Sequence, residues 1–383
     1  KGDFYYTPPS GYLALCTDNL SAPEIALPGE NFNPVIYTGA GYPTAVTGAG
    51  FLPDFVWIKR RNAVTMHDLF DSVRGGSSIL DSASNGAAST VTGALTFDSD
   101  GFTAAVDPLS GDTGSSGNTF ASWNWKAGGA PTADNDNTTG AMDANSVALN
   151  GSLQAAYTPE GSPTIYPTKM SINTTAGFSI IEYDGNSTAG ATLPHGLTQA
   201  PDITFVKETT YADNWVSFAE PLGNTKALFL DTTGAAGTHT TYWNDTSPSA
   251  TVITLGTDGK ANSSRGHIMY AFHSVEGYSK VGKYVGNADP DGPFVYTGFS
   301  PSFVMVKGIA RSDNWTMWDN KRPGYNVTNQ ELNADDPAAE SANSPDIDFT
   351  SNGFKRRDGE MNAAADYLYI AFAESPFKTS NAR

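Results

Sequence analysis

The most regular pattern of apolar and polar positions in this sequence is a seven-residue block that occurs three times. Each block begins with Pro and a polar residue, continues with four mostly apolar residues and ends with Lys. The blocks lie at 53–59, 201–207 and 301–307. An apolar run of this length, entered by a proline and ended by a charge, is typical of a buried β-strand. We therefore predict strands at 55–59, 203–207 and 303–307.

The spacing of aromatic residues around the blocks indicates that each block belongs to a longer repeat. A Tyr-x-Gly strand end precedes each block proline by 16, 18 and 17 residues, at Tyr37, Tyr183 and Tyr284. An aromatic-rich segment ends 66, 65 and 65 residues after each block lysine, at Trp125, Phe272 and Phe372. A shared fold preserves such distances even where side chains differ, so the chain contains three copies of one unit.

Short apolar segments separated by Gly, Asn and Asp predict antiparallel strands in a sandwich or barrel. We predict an all-β fold of three related antiparallel β-sandwich-like repeats with little helix. The Ala-rich residues 363–368 have helical propensity, but their alignment with the closing strands of the other copies predicts a strand. The predicted organisation is an N-terminal arm at 1–33, repeat 1 at 34–126, a Gly/Asn/Thr-rich connecting segment at 127–176, repeat 2 at 177–279 and repeat 3 at 280–383. The connecting segment is too long for a plain turn and forms either a crossing arm or an extra hairpin.

Charge and cysteine content narrow the function classes. The chain has 22 Lys and Arg against 40 Asp and Glu, a formal net charge of −18. This sign argues against binding of nucleic acid or anionic lipid. Cys16 is the single cysteine, which excludes an internal disulfide and a Cys-based zinc site. No apolar run approaches the ~18 residues of a membrane span, so no membrane insertion is predicted.

Several segments together resemble a family of virion proteins from tailed phages, many of them marine. Besides the blocks, they are FDSVRG at 70–75, WNWKAGG at 123–129, AGFSI at 176–180, PHGL at 194–197 and AFAESPFK at 371–378. In that family such repeats often follow a SPRY-type, concanavalin-like domain, and residues 6–15 resemble the junction after it. The resemblance covers nearly the whole chain. It implies missing upstream sequence, a position on the surface of an extracellular phage particle, and other virion proteins as partners.

Four tryptophans are candidates for stacking on sugar rings, because flat apolar faces bordered by Asp and Asn suit polyols. They are Trp215, Trp243, Trp315 and Trp318. Tryptophans at equivalent positions of repeats are usually core residues, which favours core packing for Trp215 and Trp315 and leaves both alternatives open for Trp318. The candidate ligand-binding residues are Trp318, Asp319, Trp315, Trp215 and Asp213.

Residues 287–292 resemble the opening of a calcium loop, with oxygen ligands on alternate residues and a turn glycine. The weak metal candidates are Asn287, Asp289 and Asp291. Position 12 of such a loop would be Gly298 instead of a bidentate Glu, so an Asx-rich turn is favoured. We predict no cofactor, with calcium left open.

A lectin-like glycanase would need two carboxylates at alternating positions of one strand. Two pairs have this spacing, Asp98 with Asp100 and Asp346 with Asp348, but neither is followed by the third carboxylate of the Glu-x-Asp-x-x-Glu pattern. His195, in a Pro-His-Gly turn, is expected to fix the loop before a strand. We predict no catalytic residue.

The predicted function is that of a non-enzymatic virion surface protein, a fibre, spike or capsid decoration. It is expected to be a homotrimer that contacts a host surface glycan weakly. The alternative is a polysaccharide-degrading glycoside hydrolase or depolymerase of lectin-like fold. An adhesin should carry a concave aromatic and acidic patch on one copy that the others lack. A purely structural fibre should have large, flat subunit contacts, and an enzyme a cleft with paired carboxylates.

Overall fold

The computed structural model describes residues 5–7, 9–10, 19–20, 22–109, 111–342, 346–357 and 361–380. Strands make up 39% of the structure and helices 3%, which confirms the predicted all-β fold with little helix. No helix within these residues is long and apolar enough to cross a membrane. Cys16 and most of the junction predicted at 6–15 lie outside the described residues.

Repeat 1 follows a short 3-10 turn at Pro28–Glu30 and contains two antiparallel sheets. Its strands are β1 (Phe32–Thr38), β2 (Thr44–Thr47), β3 (Phe55–Arg60), β4 (Asp68–Asp71), β5 (Ser78–Ile79), β6 (Ser89–Thr90), β7 (Leu95–Asp98), β8 (Gly101–Ala104) and β9 (Thr119–Trp125). The larger sheet has the order β1-β9-β3-β4, and the smaller one the order β2-β8-β7. Strands β5 and β6 pair with each other at the edge.

The connecting segment adds strands to the sheet of repeat 2. They are β10 (Val147–Leu149), β11 (Ser152–Leu153) and β12 (Lys169–Asn173). Strands β10 and β11 form a hairpin whose two turn residues, Asn150 and Gly151, both have positive φ. An Asn-Gly pair with this geometry is the preferred two-residue hairpin turn. The segment thus contains an extra hairpin, and β12 joins it to the next repeat.

Repeat 2 has the same arrangement as repeat 1. Its elements are β13 (Phe178–Asp184), β14 (Ala191–Pro194), β15 (Ile203–Glu208), β16 (Val216–Ala219), a 3-10 turn (Glu220–Leu222), β17 (Lys226–Phe229), β18 (Gly237–Thr238), β19 (Val252–Leu255), α1 (Gly259–Asn262) and β20 (Gly266–Phe272). The larger sheet runs β13-β20-β15-β16-β17-β18 and continues from β13 through β12 and β10 to β11. The smaller sheet is β14-β19.

Repeat 3 repeats the pattern once more. Its strands are β21 (Ser279–Val285), β22 (Phe294–Tyr296), β23 (Phe299–Gly308), β24 (Thr316–Asp319), β25 (Leu332–Asn333), β26 (Ile347–Thr350), β27 (Gly353–Arg356) and β28 (Asp366–Pro376). The sheets are β21-β28-β23-β24-β25 and β22-β27-β26. In all three repeats the block strand lies between the closing strand and the next strand of the chain. The predicted strands at 55–59, 203–207 and 303–307 are therefore confirmed, in one topological position.

Each repeat is a sandwich with its own core between the larger and the smaller sheet. The eleventh residue after each block lysine packs into this core, and it is Phe70, Phe218 and Trp318 in the three repeats. The alternation of side chains along a strand leaves the other face of each large sheet equally apolar. That second face needs a partner of its own.

The second faces of the three large sheets pack together in one central core. The last aromatic residues of the closing strands, Trp125, Phe272 and Phe372, form a triangle with ring centroids 5.7 to 6.5 Å apart. An entirely apolar cavity of about 30 Å³ lies within this core. The central core therefore belongs to the whole molecule and to no single repeat.

Hydrogen bonds between the repeats follow a cyclic order. The second residue after each block lysine accepts a backbone bond from another repeat: Ala88 N–H to Thr209 O, Ala236 N–H to Ile309 O, and Glu340 N–H to Arg61 O, at 2.9, 2.8 and 2.8 Å. Repeat 1 thus contacts repeat 2, repeat 2 contacts repeat 3, and repeat 3 contacts repeat 1. This cycle is the signature of an internal pseudo-threefold arrangement.

Candidate functional site

The block lysines are structural residues at or near the seams, by which we mean the contact regions between two repeats that contain the cyclic hydrogen bonds. Lys59, Lys207 and Lys307 are all fully buried. The ammonium of Lys59 donates to Pro337 O of repeat 3 at 3.1 Å, and that of Lys307 to Thr233 O of repeat 2 at 2.7 Å. Lys207 donates to the carbonyl of its neighbour Glu208. Burial lowers the pKa of each of the three ammonium groups to about 8.

Two of the candidate sugar-binding tryptophans are seam residues. Trp215 and Trp315 are at most 1% exposed. The indole of Trp215 donates to Asp81 O of repeat 1, and that of Trp315 donates to Phe229 O of repeat 2, both at 2.9 Å. In repeat 1 the equivalent residue is His67, whose Nε2 lies 3.0 Å from Asn333 O of repeat 3. Neither indole has a free face for a ligand in this structure.

Trp318 and Asp319 are also buried, each at most 1% exposed. The indole of Trp318 packs in the sandwich core of repeat 3 and donates to Asp346 Oδ2 at 3.3 Å. Asp319 forms a buried ion pair with Arg322 at 2.7 Å and accepts a hydrogen bond from the Trp123 indole of repeat 1. The polar residues after Trp318, which suggested an exposed site, form a turn around this ion pair.

Asp213 lies at the surface of repeat 2, where its carboxylate pairs with Lys260 at 3.1 Å. The structure does not bring Asp213 together with Trp318 and Asp319, which belong to the core and seam of repeat 3.

The proposed calcium loop is an Asx-rich turn in this structure. Asn287 Oδ1 accepts the amide of Asp289, and Asp289 Oδ1 accepts the amide of Asp291. The Asp291 carboxylate pairs with Lys355 at 2.7 Å. Within the described part of the chain, no three His, Cys, Asp or Glu side chains are grouped so that they could hold a metal ion.

The carboxylates considered for glycanase chemistry have structural partners. Asp98 accepts from the Thr103 hydroxyl, and Asp100 accepts the amides of Gly48 and Gly50. In repeat 3, Asp348 pairs with Arg357 at 2.5 Å, and Asp346 accepts from Trp318 as above.

His195 holds a loop, as predicted. Its Nδ1 accepts the amide of Leu197, and Nε2 lies 3.2 Å from Ser249 O. Burial lowers the pKa of this imidazole to about 4, which keeps it neutral.

A concave site lies in repeat 2, where the connecting segment packs against the sandwich. This cavity of about 380 Å³, which we call the insert groove, is lined among others by Leu149, Tyr157, Glu160, Leu197, Thr198 and Thr251. The first three come from the connecting segment and the others from loops of repeat 2. Within the described residues, this wall comes from the segment before repeat 2, whereas β21 of repeat 3 follows β20 of repeat 2 with no such segment between them.

Gly196 lets its turn pack closely against the connecting segment. Its φ of +71° favours glycine, and a Cβ there would lie 2.4 Å from Ile172 Cδ1 and 3.1 Å from the Tyr157 hydroxyl. The Pro-His-Gly turn and its buried His195 therefore fix one side of the groove. Tyr157, whose hydroxyl lies next to this turn, is half-buried, while Glu160 is exposed at the rim.

Three polar groups of the insert groove are available for a ligand. Among the described residues, none forms a hydrogen bond with the Tyr157 hydroxyl, the Thr198 hydroxyl or the Glu160 carboxylate. Burial, together with the nearby charge of Glu160, raises the pKa of Tyr157, so its hydroxyl remains a donor at neutral pH. Sequence reasoning missed these residues, and the signal that could have found them was the length of the connecting segment.

A second open cavity, of about 350 Å³, lies at the start of repeat 3, beside Tyr296 and beside Glu276 from the end of repeat 2. The ammonium of Lys280 donates to Tyr296 O and lies 5.4 Å from the centre of its ring. This cation covers one aromatic face and adds a positive charge, so the cavity differs chemically from the insert groove.

Comparison with known proteins gives one family. No curated protein and no solved structure matches the chain. The sequence matches the family described as Domain of unknown function (DUF7483) at residues 27–163 and again at 150–376. The first match spans repeat 1 and most of the connecting segment, and the second spans repeats 2 and 3. Because these matches together cover well over half of the sequence, the chain belongs to the DUF7483 family.

Proposed function

We propose that this protein is a non-enzymatic surface component of a tailed-phage virion that contributes to host attachment. The sequence segments that resemble phage virion proteins support the location. The observation that carries the attachment role is the insert groove, a concave aromatic and acidic site that has the connecting segment as one wall. The cavity beside Tyr296 differs from it through the Lys280 cation, and a site of its own on one repeat is what we expect of an adhesin.

The partners of the acidic residues support a binding role over hydrolysis. Hydrolysis of a glycosidic bond needs two carboxylates, about 5–10 Å apart, on either side of the bond. The Asp98, Asp100, Asp346 and Asp348 side chains have structural partners. In the insert groove Glu160 is the single acidic residue of the lining. A site with one carboxylate can orient a sugar hydroxyl but lacks the second group of the catalytic pair.

Imaging of intact particles tests the proposal. An antibody raised against the purified chain should label the outside of virions from the phage that encodes it, without prior disruption of the particles. Fab fragments of the same antibody should slow adsorption to host cells, with non-immune Fab as the control. Labelling of disrupted particles alone, or adsorption at an unchanged rate, would contradict the proposed role.

Assembly as a homotrimer stays a prediction. It rests on aromatic residues that need a place to be buried, but many of these side chains lie in the chain's own central core and sandwich cores. Light scattering of the purified protein at micromolar concentration measures the oligomer directly. A mass of three chains is the expected result, and a mass of one chain, 40.4 kDa, would contradict it.

A further inference from the structure

We propose that the insert groove binds a neutral saccharide, with one sugar ring packed beside Tyr157 and hydrogen-bonded to the polar groups of the lining. This inference deepens the proposed attachment role by naming the ligand class and the residues that hold it. The binding itself is a property of the isolated protein and is tested without particles.

The size and lining of the groove suit a sugar ring. Its volume of about 380 Å³ lies in the range of small-ligand pockets, about 300–1,000 Å³. Leu149 and Leu197 supply apolar surface, and Tyr157 supplies an aromatic ring. A pyranose has C–H faces that pack on such groups and a rim of hydroxyls that needs polar partners. The groove offers both kinds of surface.

The free polar groups match hydroxyls that both donate and accept. The Tyr157 hydroxyl can donate, the Glu160 carboxylate accepts only, and the Thr198 hydroxyl can do either. Neighbouring hydroxyls of a sugar can therefore donate to Glu160 and accept from Tyr157. A hydrogen bond to a charged group contributes about twice as much as a neutral one, so Glu160 should carry much of the selectivity.

Charge disfavours an acidic ligand, and the lining disfavours a quaternary ammonium. An acidic sugar would bring its carboxylate towards Glu160 on a chain with a net charge of −18. A quaternary ammonium would require an aromatic cage, whereas Tyr157 is the one aromatic residue in the lining. A neutral saccharide is the class that fits both the carboxylate and the hydroxyls.

A glycan array tests the inference. The biotinylated protein is tetramerised on streptavidin, because avidity makes weak sites detectable, and is applied to printed neutral and sialylated glycans. The binding variants are Tyr157→Phe, Glu160→Gln and Ala250→Trp, the last of which places an indole at the exposed edge of the groove. The matched controls are Tyr296→Phe and Glu276→Gln, which make the same changes in the cavity of repeat 3.

The expected result is binding to one or more neutral glycans, weakened at least fivefold by each groove variant and unchanged in both controls. Thermal unfolding midpoints of the variants should equal that of the wild type, because Tyr157→Phe removes a single unpaired hydroxyl and the other two changes are at exposed positions. Absence of any neutral signal, equal binding by the groove variants, or a preference for sialylated glycans would overturn the inference. If the protein binds no neutral glycan while the antibody still labels the particles and its Fab slows adsorption, the attachment role is supported and the proposed ligand class is wrong.

Discussion

At the scale of single residues, the block lysines stabilise the backbone. Each one ends a buried strand, and its ammonium group donates hydrogen bonds to backbone carbonyls. Lys59 and Lys307 reach carbonyl groups of a neighbouring repeat, which gives those carbonyls a donor away from water. The cost is that the charged ammonium loses its hydration, which is why the pKa falls. Each lysine is thus stabilising through its bonds and sensitive to pH through its charge.

This sensitivity predicts how stability changes at alkaline pH. The pKa of the three lysines is about 8 in the folded protein, against 10.5 normally. Between pH 8 and 10 the unfolded chain holds protons that the folded chain has released, so the free energy of unfolding should increase with pH. Urea midpoints measured at pH 8.0 and 9.5 should show this rise, and Lys307→Met should reduce it. A midpoint that falls over this range would contradict the prediction.

A second residue-scale prediction concerns Trp318. Its indole fills the position of Phe70 and Phe218 in the other sandwiches. Trp318→Ala should lower the free energy of unfolding by about 3–5 kcal/mol through the cavity it leaves. Trp318→Phe keeps a ring there and should cost about 1–2 kcal/mol, since Asp346 then loses its indole donor. Urea denaturation measures both values, and a cost below 1 kcal/mol for Trp318→Ala would be inconsistent with a core role.

At the scale of elements, the first residues of the block explain the Pro-polar pattern. The carboxylates of Asp54 and Asp202 accept the amides of Ala127 and Ser274, the second residues after the closing aromatics, at 2.8 and 2.6 Å. In repeat 3, Ser302 donates instead to the carbonyl of Phe372. The polar residue therefore holds the end of the closing strand against the start of the block strand.

The Tyr-x-Gly strand ends form a second repeated element. Each hydroxyl donates to a backbone carbonyl in the segment before the closing strand, Tyr37 to Thr113, Tyr183 to Ala261 and Tyr284 to Met361. Each ring stacks at about 5 Å on the residue five positions before the closing aromatic: Phe120, His267 and Tyr367. Contacts of this kind explain why the spacing between these elements is nearly constant.

Two of the three seams contain a buried ion pair, and the third has apolar residues at the same positions. Asp71 pairs with Arg74 at 2.6 Å and accepts from the Tyr270 hydroxyl of repeat 2, as Asp319 does with Arg322 and Trp123. At the third set of equivalent positions the residues are apolar: Ala219, Leu222 and Ile370. These positions can therefore be filled either by a complete buried ion pair or by apolar residues.

This comparison predicts the effect of removing the ion pair in part and in full. Asp71→Ala leaves Arg74 buried without its carboxylate and should cost about 3–5 kcal/mol of unfolding free energy. The triple variant Asp71→Ala, Arg74→Leu, Tyr270→Phe copies the apolar seam and should recover most of that loss. Chemical denaturation of the two variants decides the matter. A triple variant less stable than the single one would show that the ion pair cannot be replaced.

The sequence predicts the strands well because their apolar runs are local and occur three times. It does not separate buried from exposed polar residues: the segment after Trp318 looks solvated, yet Asp319 and Arg322 are fully buried as a pair. It also hides the insert groove, since Tyr157 and Thr198 come together only when the connecting segment folds back on repeat 2. The buried ion pair and the insert groove both depend on contacts between residues that are far apart in the sequence. Such contacts leave no pattern in a short stretch of sequence.

At the scale of the whole molecule, the central core links the repeats thermodynamically. The larger sheet of each repeat has two apolar faces, and one of them is covered mainly by the other two repeats. A repeat that detached would expose this face to water, at about 25 cal/mol for each Å² of apolar surface. The seam hydrogen bonds would be lost at the same time. Separate unfolding of one repeat is therefore unfavourable.

The last prediction follows from this coupling: the three repeats should unfold as one unit. Trp125→Ala removes one ring of the central triangle, in repeat 1, and should cost about 3–5 kcal/mol. Native-state hydrogen exchange should then show faster exchange in β15 and β20 of repeat 2 and in β23 and β28 of repeat 3, as well as in β3 and β9 of repeat 1.

Phe102→Ala is the control for the position of the cavity, because Phe102 lies in the separate sandwich core of repeat 1. It should also accelerate exchange in all three repeats, because cooperative unfolding transmits any loss of stability. If either substitution accelerates exchange in repeat 1 alone, the repeats are independent folding units and the central core does not make their unfolding cooperative.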